Sequence, residues 1–433
     1  MTLARSSIGI GLLGIGVIGG QVAKVLTERA EFISQSIGCP VVLRRIKVLE
    51  SDMRRPEVVL LGAGLFTTND EEFFNYAGID VVIELIGGEY PAFDYLKRAI
   101  LAGKHVVTAN KEVVAKHWDE LLTLASQNNV SIRYEASVGG GIPLIAPFQR
   151  DLIANHICGI YAIINGTTNY ILSTMASEGA EFSMALAQAQ RLGYAESNPR
   201  NDVEGFDAAY KISILSSLAF RSRVHPEQVY CEGISRLSLQ DFRYADEMGY
   251  AVKLLAISKH DGESIEARVH PVFISKDSFL AKVNGVYNAV LVDGDLTGQV
   301  TFSGKGAGAL PTSSAVVADV IETARDIAFG RTRSVWQAID SKPIKPMSEI
   351  ITRYYIRISI ADQAGVLAQV ASTLGNHGIS ISSAIQKETI SDQVAEIVIM
   401  THPAAEYAMQ AAVEDLHKLS VVREVRNFVR VEG

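Results

Sequence analysis

The sequence predicts a mixed α/β chain in three parts: a doubly wound parallel sheet over residues 1–137, an α+β domain over 138–330 and, past a linker at 331–352, a small βαββαβ unit over 353–433. Three observations carry this. A glycine-rich turn joins an apolar strand to a helix near the N-terminus. Strands and helices then alternate at the spacing of a parallel sheet. From Arg353 onward a second, shorter alternation starts after a stretch holding Pro343 and Pro346.

Residues 8–13 read as a buried strand and 17–32 as a helix. Between them two phases of G-x-G-x-x-G overlap: Gly9, Gly11, Gly14 and Gly14, Gly16, Gly19. Only the second places the glycines after a strand and at the opening of a helix. There a backbone without Cβ atoms lets a pyrophosphate approach, and the helix N-terminus meets its charge. Gly14, Gly16 and Gly19, with Val17 and Ile18, are the candidate cofactor-binding residues, and the first part is Rossmann-like. Further strands are expected at 45–49, 80–85, 105–109 and 130–136, with helices near 91–102 and 113–128. The IGG at 86–88 and the TANK at 108–111 then fall at the carboxyl edge of the sheet, where such sheets bind ligands.

The middle part opens on the turn SVGGGIPL and continues through a helix over 147–154, the strand-like ICGIYAIIN and the segment GTTNYIL. Strands near 264–272 and 286–293 follow. A glycine loop, SGKGAGALPT, leads into a helix ending near Phe329. The last part reads strand RYYIRISI, helix VLAQVASTLGNHG, strands ISISSAIQKE and QVAEIVIMTH, helix AAEYAMQAAVEDLHKL and strand VREVRNFV, which is the ferredoxin-like order.

Composition narrows the function class. Hydrophobic residues make up 48% and charged residues 20% of the 433 residues, as in ordinary globular chains. A formal net charge of −8 with no basic patch argues against nucleic acid as a partner. Cys39, Cys158 and Cys231 show no paired spacing, which fits a reducing compartment. IGIGLLGIGVIGG superficially resembles a signal peptide, but glycine interrupts it every few residues, and no apolar run is long enough for a membrane span. A cytoplasmic protein is expected.

The segment GYAESNPRNDVEGFDAAYK, from Gly193 to Lys211, concentrates Glu196, Asp202, Asp207 and Lys211. Its first half reads as a loop. From Phe206 the pattern turns helical, so Asp207 and Lys211 stand at i and i+4 on one face. Such pairs are mostly surface ion pairs of little value. Here the helix continues almost wholly apolar, and a buried lysine among carboxylates is costly unless it has a task.

The fixed positions Gly193, Tyr194, Asn198, Pro199, Asp202, Val203, Gly205, Asp207 and Lys211, with NGTTNYIL, EASVGGGIP and TANK, are similar to the signature of the homoserine dehydrogenase family, and the resemblance covers the whole chain. It is to the monofunctional form, since no kinase-like segment precedes the glycine turn. DQAGVLAQVASTLGNHGISI looks like the start of an ACT domain. The resemblance implies NAD(P)-dependent interconversion of L-homoserine and L-aspartate 4-semialdehyde. Reducing an aldehyde needs a hydride and a proton for the developing alkoxide; Lys211 is the expected general acid/base and Lys111 the second candidate near the reacting oxygen. The family reading puts Glu196 and Asp207 on the substrate ammonium, with Gly166, Thr167 and Tyr194 completing the pocket. Asp202 binds the same end, tunes Lys211 or only caps the following helix.

The resemblance implies more. The Glu135 side chain and the carbonyls of Val138, Gly140 and Ile142 would hold a monovalent cation, Na⁺, in a structural role. Gly193 and Gly306 would touch the cofactor, and Lys305 stands where a proline is usual. Glu50, near the end of the second strand, argues for NAD through a free ribose 2′-hydroxyl, whereas Arg44, Arg45, Arg54 and Arg55 could take the 2′-phosphate of NADP, which the family favours. The ACT-like unit implies either L-threonine as effector, in a pocket formed by Asp362, Gly365, Val366, Leu367, Asn376 and Ile379, or a purely dimerising module, and with it a homodimer or homotetramer. An aspartate-semialdehyde dehydrogenase would instead need a cysteine nucleophile, and neither Cys158 nor Cys231 sits in such a context.

Overall fold

A computed structural model describes residues 6–331, 341–388 and 394–433. Residues 332–340 of the linker expected at 331–352 therefore lie outside the described residues. By contact the chain forms two compact units: Met1–His156 with Ser213–Pro226 and Phe302–Ser341, and Ile157–Ile212 with Glu227–Thr301 and Lys342–Gly433. Among the described residues no helix is long and apolar enough to cross a membrane.

The first unit is built on six parallel strands: β1 (Ile8–Leu13), β2 (Val41–Lys47), β3 (Phe66–Thr67), β4 (Val81–Glu84), β5 (His105–Thr108) and β6 (Ile132–Arg133), in the order β3-β2-β1-β4-β5-β6. That order is the one in which dinucleotides bind beyond the carboxyl ends of the central strands. β1 is buried along its whole length, which explains its unbroken apolar run. The helix expected over 17–32 breaks at Arg29 into Val17–Glu28 and Ala30–Ile37. The strand expected over 130–136 shrinks to β6. Its end becomes a single turn at Glu135–Ser137, because the Glu135 carboxylate turns to the backbone N–H groups of Leu144, Ile145 and Ala146.

The helix Ala309–Ala328 belongs to this unit in space. Its Ala315, Val316, Val317, Val320 and Ala324 join Ile8, Ile10, Leu12 and Val22 in one core. Each valine fully buried there contributes about 1.5–3 kcal/mol of transfer free energy. The compact units thus divide the chain differently from the boundaries at 137 and 330. A stripe of apolar residues shows that a helix packs, but not on which sheet.

The second unit holds β7 (Ile157–Ile163), β8 (Tyr230–Cys231), β9 (Tyr250–His260), β10 (Ile265–Ser275) and β11 (Tyr287–Gly294), with β12 (Gly298–Lys305) leading the chain back to the first. It also holds β13 (Ile351–Ala361), β14 (Ile381–Glu388), β15 (Val394–Thr401), β16 (Ala404–Ala405) and β17 (Val422–Glu432). β9 was not expected: YAVKLLAISKH carries apolar residues that fit either period, with Lys253 in the middle.

One path of strands runs β12-β11-β7-β9-β10-β17-β13-β15-β14. The C-terminal four, with their two helices, form the expected ferredoxin-like βαββαβ unit. This unit does not stand apart. β17 pairs in parallel with β10, Val272 opposite Arg430 and Ile274 opposite Glu432, so both parts share one sheet. Ion pairs line the junction. Arg430 binds Glu406 and, at 2.6 Å, Glu232; Arg268 binds Glu432 at 2.6 Å; and Arg357 binds Asp241 at 2.9 Å.

Candidate active site

The helix Phe206–Phe220 carries Asp207 in its first turn and Lys211 one turn on, both nearly buried. Lys211 Nζ donates to Asp207 Oδ2 at 2.7 Å and to the Ile164 carbonyl at 2.8 Å. An ammonium has three N–H bonds, so these two contacts fix its direction and leave one donor to address another oxygen.

Ile164 and Asn165 join β7 to the helix Gly166–Glu178. Asn165 caps that helix: its Oδ1 accepts from Thr168 N at 2.8 Å. Its Nδ2 then donates to both Asp202 Oδ1, 2.7 Å, and Asp207 Oδ2, 2.8 Å. One amide thereby ties the helix start to two carboxylates. Asp202 sits on the short helix Arg200–Val203; burial, with the neighbouring Asp207 charge, raises its carboxyl above the usual range. Asp207 pairs with the one ammonium and Asp202 takes only the Asn165 amide, so the cluster holds more carboxylates than cations.

The other residues expected here occupy its surroundings. Thr167 donates to the Tyr194 carbonyl at 2.7 Å, and the Tyr194 ring lies 5.0 Å from that of Tyr170. Gly166 lies so close to the Val286 carbonyl that a Cβ would sit 3.0 Å from it. Gly193 takes a left-handed φ of 76° as the preceding helix ends. Glu196 is exposed, and its carboxylate touches none of the cluster. Asn165 was missed as a site residue. Its one signal in the sequence is the position of an N-cap before Gly-Thr-Thr.

In the first unit the glycine phases separate cleanly. A Cβ on Gly9 would fall 1.7 Å from the Gly78 carbonyl oxygen, and one on Gly11 would meet Phe73 and Ile79, so these two serve the packing of β1. Gly14 turns the chain at φ 91°, and a Cβ on Gly19 would lie 2.2 Å from the Gly14 oxygen. Nothing comes within 4 Å of a Cβ on Gly16, which is where a pyrophosphate would lie. Val17 and Ile18 open the helix behind it. The cradle fits a dinucleotide.

Lys111 is the first residue of the helix Lys111–Gln127, capped by Asn110. Glu50 lies past the end of β2, in a short helical turn, and accepts from Thr68 Oγ1 at 2.8 Å. Arg44 binds Ser7, Arg45 the Gly64 carbonyl and Glu72, and Arg55 pairs with Asp52; Arg54 alone of the four makes no side-chain hydrogen bond or ion pair among the described residues.

Gly139 and Gly140 both take left-handed φ, 75° and 56°, and a Cβ on Gly140 would lie 2.5 Å from the Gly306 oxygen. The two glycine-rich loops therefore touch backbone to backbone, and Gly141 N reaches toward the Lys305 carbonyl at 3.4 Å. The Val138, Gly140 and Ile142 carbonyls accept no hydrogen bond among the described residues, a donor set that suits a hard cation. Glu135 is engaged by three backbone N–H groups. Among the described residues no three His, Cys, Asp or Glu side chains gather to hold a metal. Burial pushes the Cys231 thiol up to about 11, the opposite of an activated nucleophile.

Residues 143–321 match the homoserine dehydrogenase family, residues 14–135 its NAD binding domain and residues 354–421 the ACT domain. The chain is 41% identical to the homoserine dehydrogenase of Neisseria gonorrhoeae over 98% of its own length and 99% of that protein's. The chain belongs to the homoserine dehydrogenase family. The Synechocystis homoserine dehydrogenase is 43% identical over 98% of this chain and 99% of its own. The crystal structure of a homoserine dehydrogenase from Thiobacillus denitrificans superposes with a TM-score of 0.92 at 41% identity, covering 98% of each chain; that of the S. aureus enzyme gives 0.78 at 32% identity and 99% of each. As a homoserine dehydrogenase, the protein is an NAD(P)-dependent oxidoreductase that interconverts L-homoserine and L-aspartate 4-semialdehyde, and it carries an ACT domain.

Proposed function

We propose that Lys211 is the general acid/base of this reaction and that the surplus carboxylate around it receives the substrate's α-ammonium. The observation that carries this reading is the Lys211 ammonium held between Asp207 and the Ile164 carbonyl, with one N–H to spare. When bound, the dinucleotide would supply the hydride for the aldehyde carbon in the reducing direction. Lys211 stabilises the developing alkoxide and delivers the proton; in reverse it takes that proton from homoserine. Asp207 keeps the lysine aligned and, with Asp202, faces the α-ammonium. Glu196, unpaired in the free chain, is available to the same group. The N–H groups at Gly166 and Thr167 open a thirteen-residue helix and suit the α-carboxylate, with Tyr194 beside them. Lys111 serves the reacting oxygen or a cofactor phosphate.

For the cofactor, Gly14, Gly16, Val17, Ile18 and Gly19 take the pyrophosphate, and Gly193 and Gly306 are the further residues assigned to it. Arg54 supports NADP over NAD, because Glu50 is already bonded to Thr68 and Arg54 is the uncommitted cation. A hyperthermophilic archaeal homoserine dehydrogenase, solved in complex with NADPH, is 26% identical and superposes with a TM-score of 0.63. We assign Na⁺ to the Val138, Gly140 and Ile142 carbonyls and Glu135, in a structural role. L-Threonine is the proposed effector of the ACT domain. Of its expected pocket, Asp362, Gly365, Leu367 and Asn376 are exposed, whereas Val366 and Ile379 point into the module's core and offer only backbone. A cytoplasmic homodimer or homotetramer completes the proposal.

The deciding assay is homoserine-dependent reduction of NAD⁺ and NADP⁺ in parallel, with and without threonine. Turnover with NADP⁺, lowered by threonine, is expected. Absence of homoserine-dependent turnover with either cofactor would overturn the reading.

A further inference from the structure

Glu84 is fully buried at the last position of β4, and none of the chemistry above uses it. Its Oε1 accepts from the backbone N–H groups of Ile86, 2.8 Å, and Gly87, 3.3 Å; its Oε2 accepts from Thr108 Oγ1 at 2.6 Å. Thr108 is its register partner across β5 and is equally buried. The threonine hydroxyl in turn accepts from Asn110 N at 2.9 Å. Asn110 closes the circuit: its Nδ2 donates to the Gly88 carbonyl at 2.6 Å, and its Oδ1 accepts from Val113 N, capping the helix that starts at Lys111.

What this circuit holds is the nucleotide side of the sheet. Gly87 and Gly88 take left-handed φ, 80° and 71°, with open space where a Cβ would stand. The Leu85 carbonyl lies 3.1 Å from the Cβ position of Gly14, the first glycine of the dinucleotide turn. A carboxylate at the end of β4 therefore sets the 85–88 turn against the glycine loop, and through Thr108 and Asn110 it sets the start of the Lys111 helix. Burying a charge here is expensive, and a glutamine of the same shape would cost less to desolvate. Burial indeed raises the Glu84 carboxyl above its usual range. The arrangement is explained if the turn needs an acceptor at three points at once, which only a carboxylate offers.

We propose that Glu84 is a positioning residue for the dinucleotide, holding the 85–88 turn and the Lys111 helix in the geometry that receives it. The proposal rests on the oxidoreductase reading of this sheet edge. Its test is direct titration of the full-length chain with NADPH, followed by nicotinamide fluorescence, which needs no turnover. Glu84→Gln keeps the shape but replaces the acceptor toward Thr108 with an NH₂ group; its NADPH affinity is expected to fall by about tenfold, the scale of one lost charge-assisted hydrogen bond. The homoserine KM at saturating cofactor should stay within about twofold, a split that general unfolding would not produce. Should Glu84→Gln fail to fold, Thr108→Val cuts the same link and is expected to show the same split. A folded variant of either kind that binds NADPH like the parent overturns the proposal. Failure of the parent chain to bind NADPH or NADH would instead overturn the functional reading beneath it.

Discussion

Asn165 ties together the proposed substrate cluster with a single side chain. Its amide satisfies Asp202 and Asp207 together, so Asn165→Ala leaves the buried Asp207 and the half-buried Asp202 each short of a donor, a loss on the scale of about 1–3 kcal/mol. We expect a higher homoserine KM and a lower Tm, read by kinetics and by thermal unfolding. Lys211→Ala should lower kcat by roughly a hundredfold or more, the scale of general acid/base loss, while NADPH titration stays near the parent's. A Lys211→Ala enzyme with near-normal turnover would falsify the assignment. Asp207 and Lys211 were legible in the sequence because they are one helical turn apart, and the apolar run after them already showed the helix to be buried. Asn165 was not legible as their partner. Its contacts span 37 and 42 residues, and no local pattern announces a pairing at that distance.

At the scale of elements, the glycine turn after β1 separates two roles that look alike in the sequence. Gly16→Ala adds a methyl where nothing stands within 4 Å, at a backbone conformation open to any residue, so the free protein should keep its Tm and lose cofactor affinity. Gly19→Ala drives a methyl to 2.2 Å from the Gly14 oxygen, so it should lower Tm as well. Measuring both quantities on both variants checks the division; equal Tm losses would count against it. The same reasoning bears on cofactor choice: Arg54→Ala should shift the NADP⁺ to NAD⁺ preference toward NAD⁺, seen in the ratio of kcat/KM values. β1, its turn and its helix were readable because strand, glycine spacing and helix agree. The chain beyond β2 was less so, because Glu50 follows the strand rather than ending it and its partner Thr68 comes from another strand's end.

At the scale of the whole molecule, a helix near the end of the middle region reaches back to the first sheet and brings Asp319 with it. That carboxylate accepts from Glu135 N at 2.8 Å, and burial pushes its pKa up to about 7. The folded chain thus keeps a proton that the unfolded chain gives up near the ordinary carboxyl range. Stability from this group is full below that range and is lost as pH rises through about 7. Asp319→Asn should flatten the fall of Tm between mildly acidic and mildly alkaline buffers; an unchanged slope would count against this origin. The order of strands and helices in every part was readable from periodicity, but the spatial partners of Ala309–Ala328 and β17 were not, because period reports a buried face without naming what covers it. The pairing of β17 with β10 has a practical consequence for anyone dissecting this enzyme. In sequence the ACT domain looks like a cassette that a stop codon could remove. In the fold its last strand is the neighbour of β10, and cutting the chain before Ile351 would bare the apolar Val272–Ile274 edge of that strand and strip Arg268 of Glu432. A truncated chain is therefore expected in the insoluble fraction, and its indifference to threonine would report damage rather than regulation. The proposed regulation is better tested by point substitutions at exposed positions such as Asp362 and Asn376, which leave the common sheet whole.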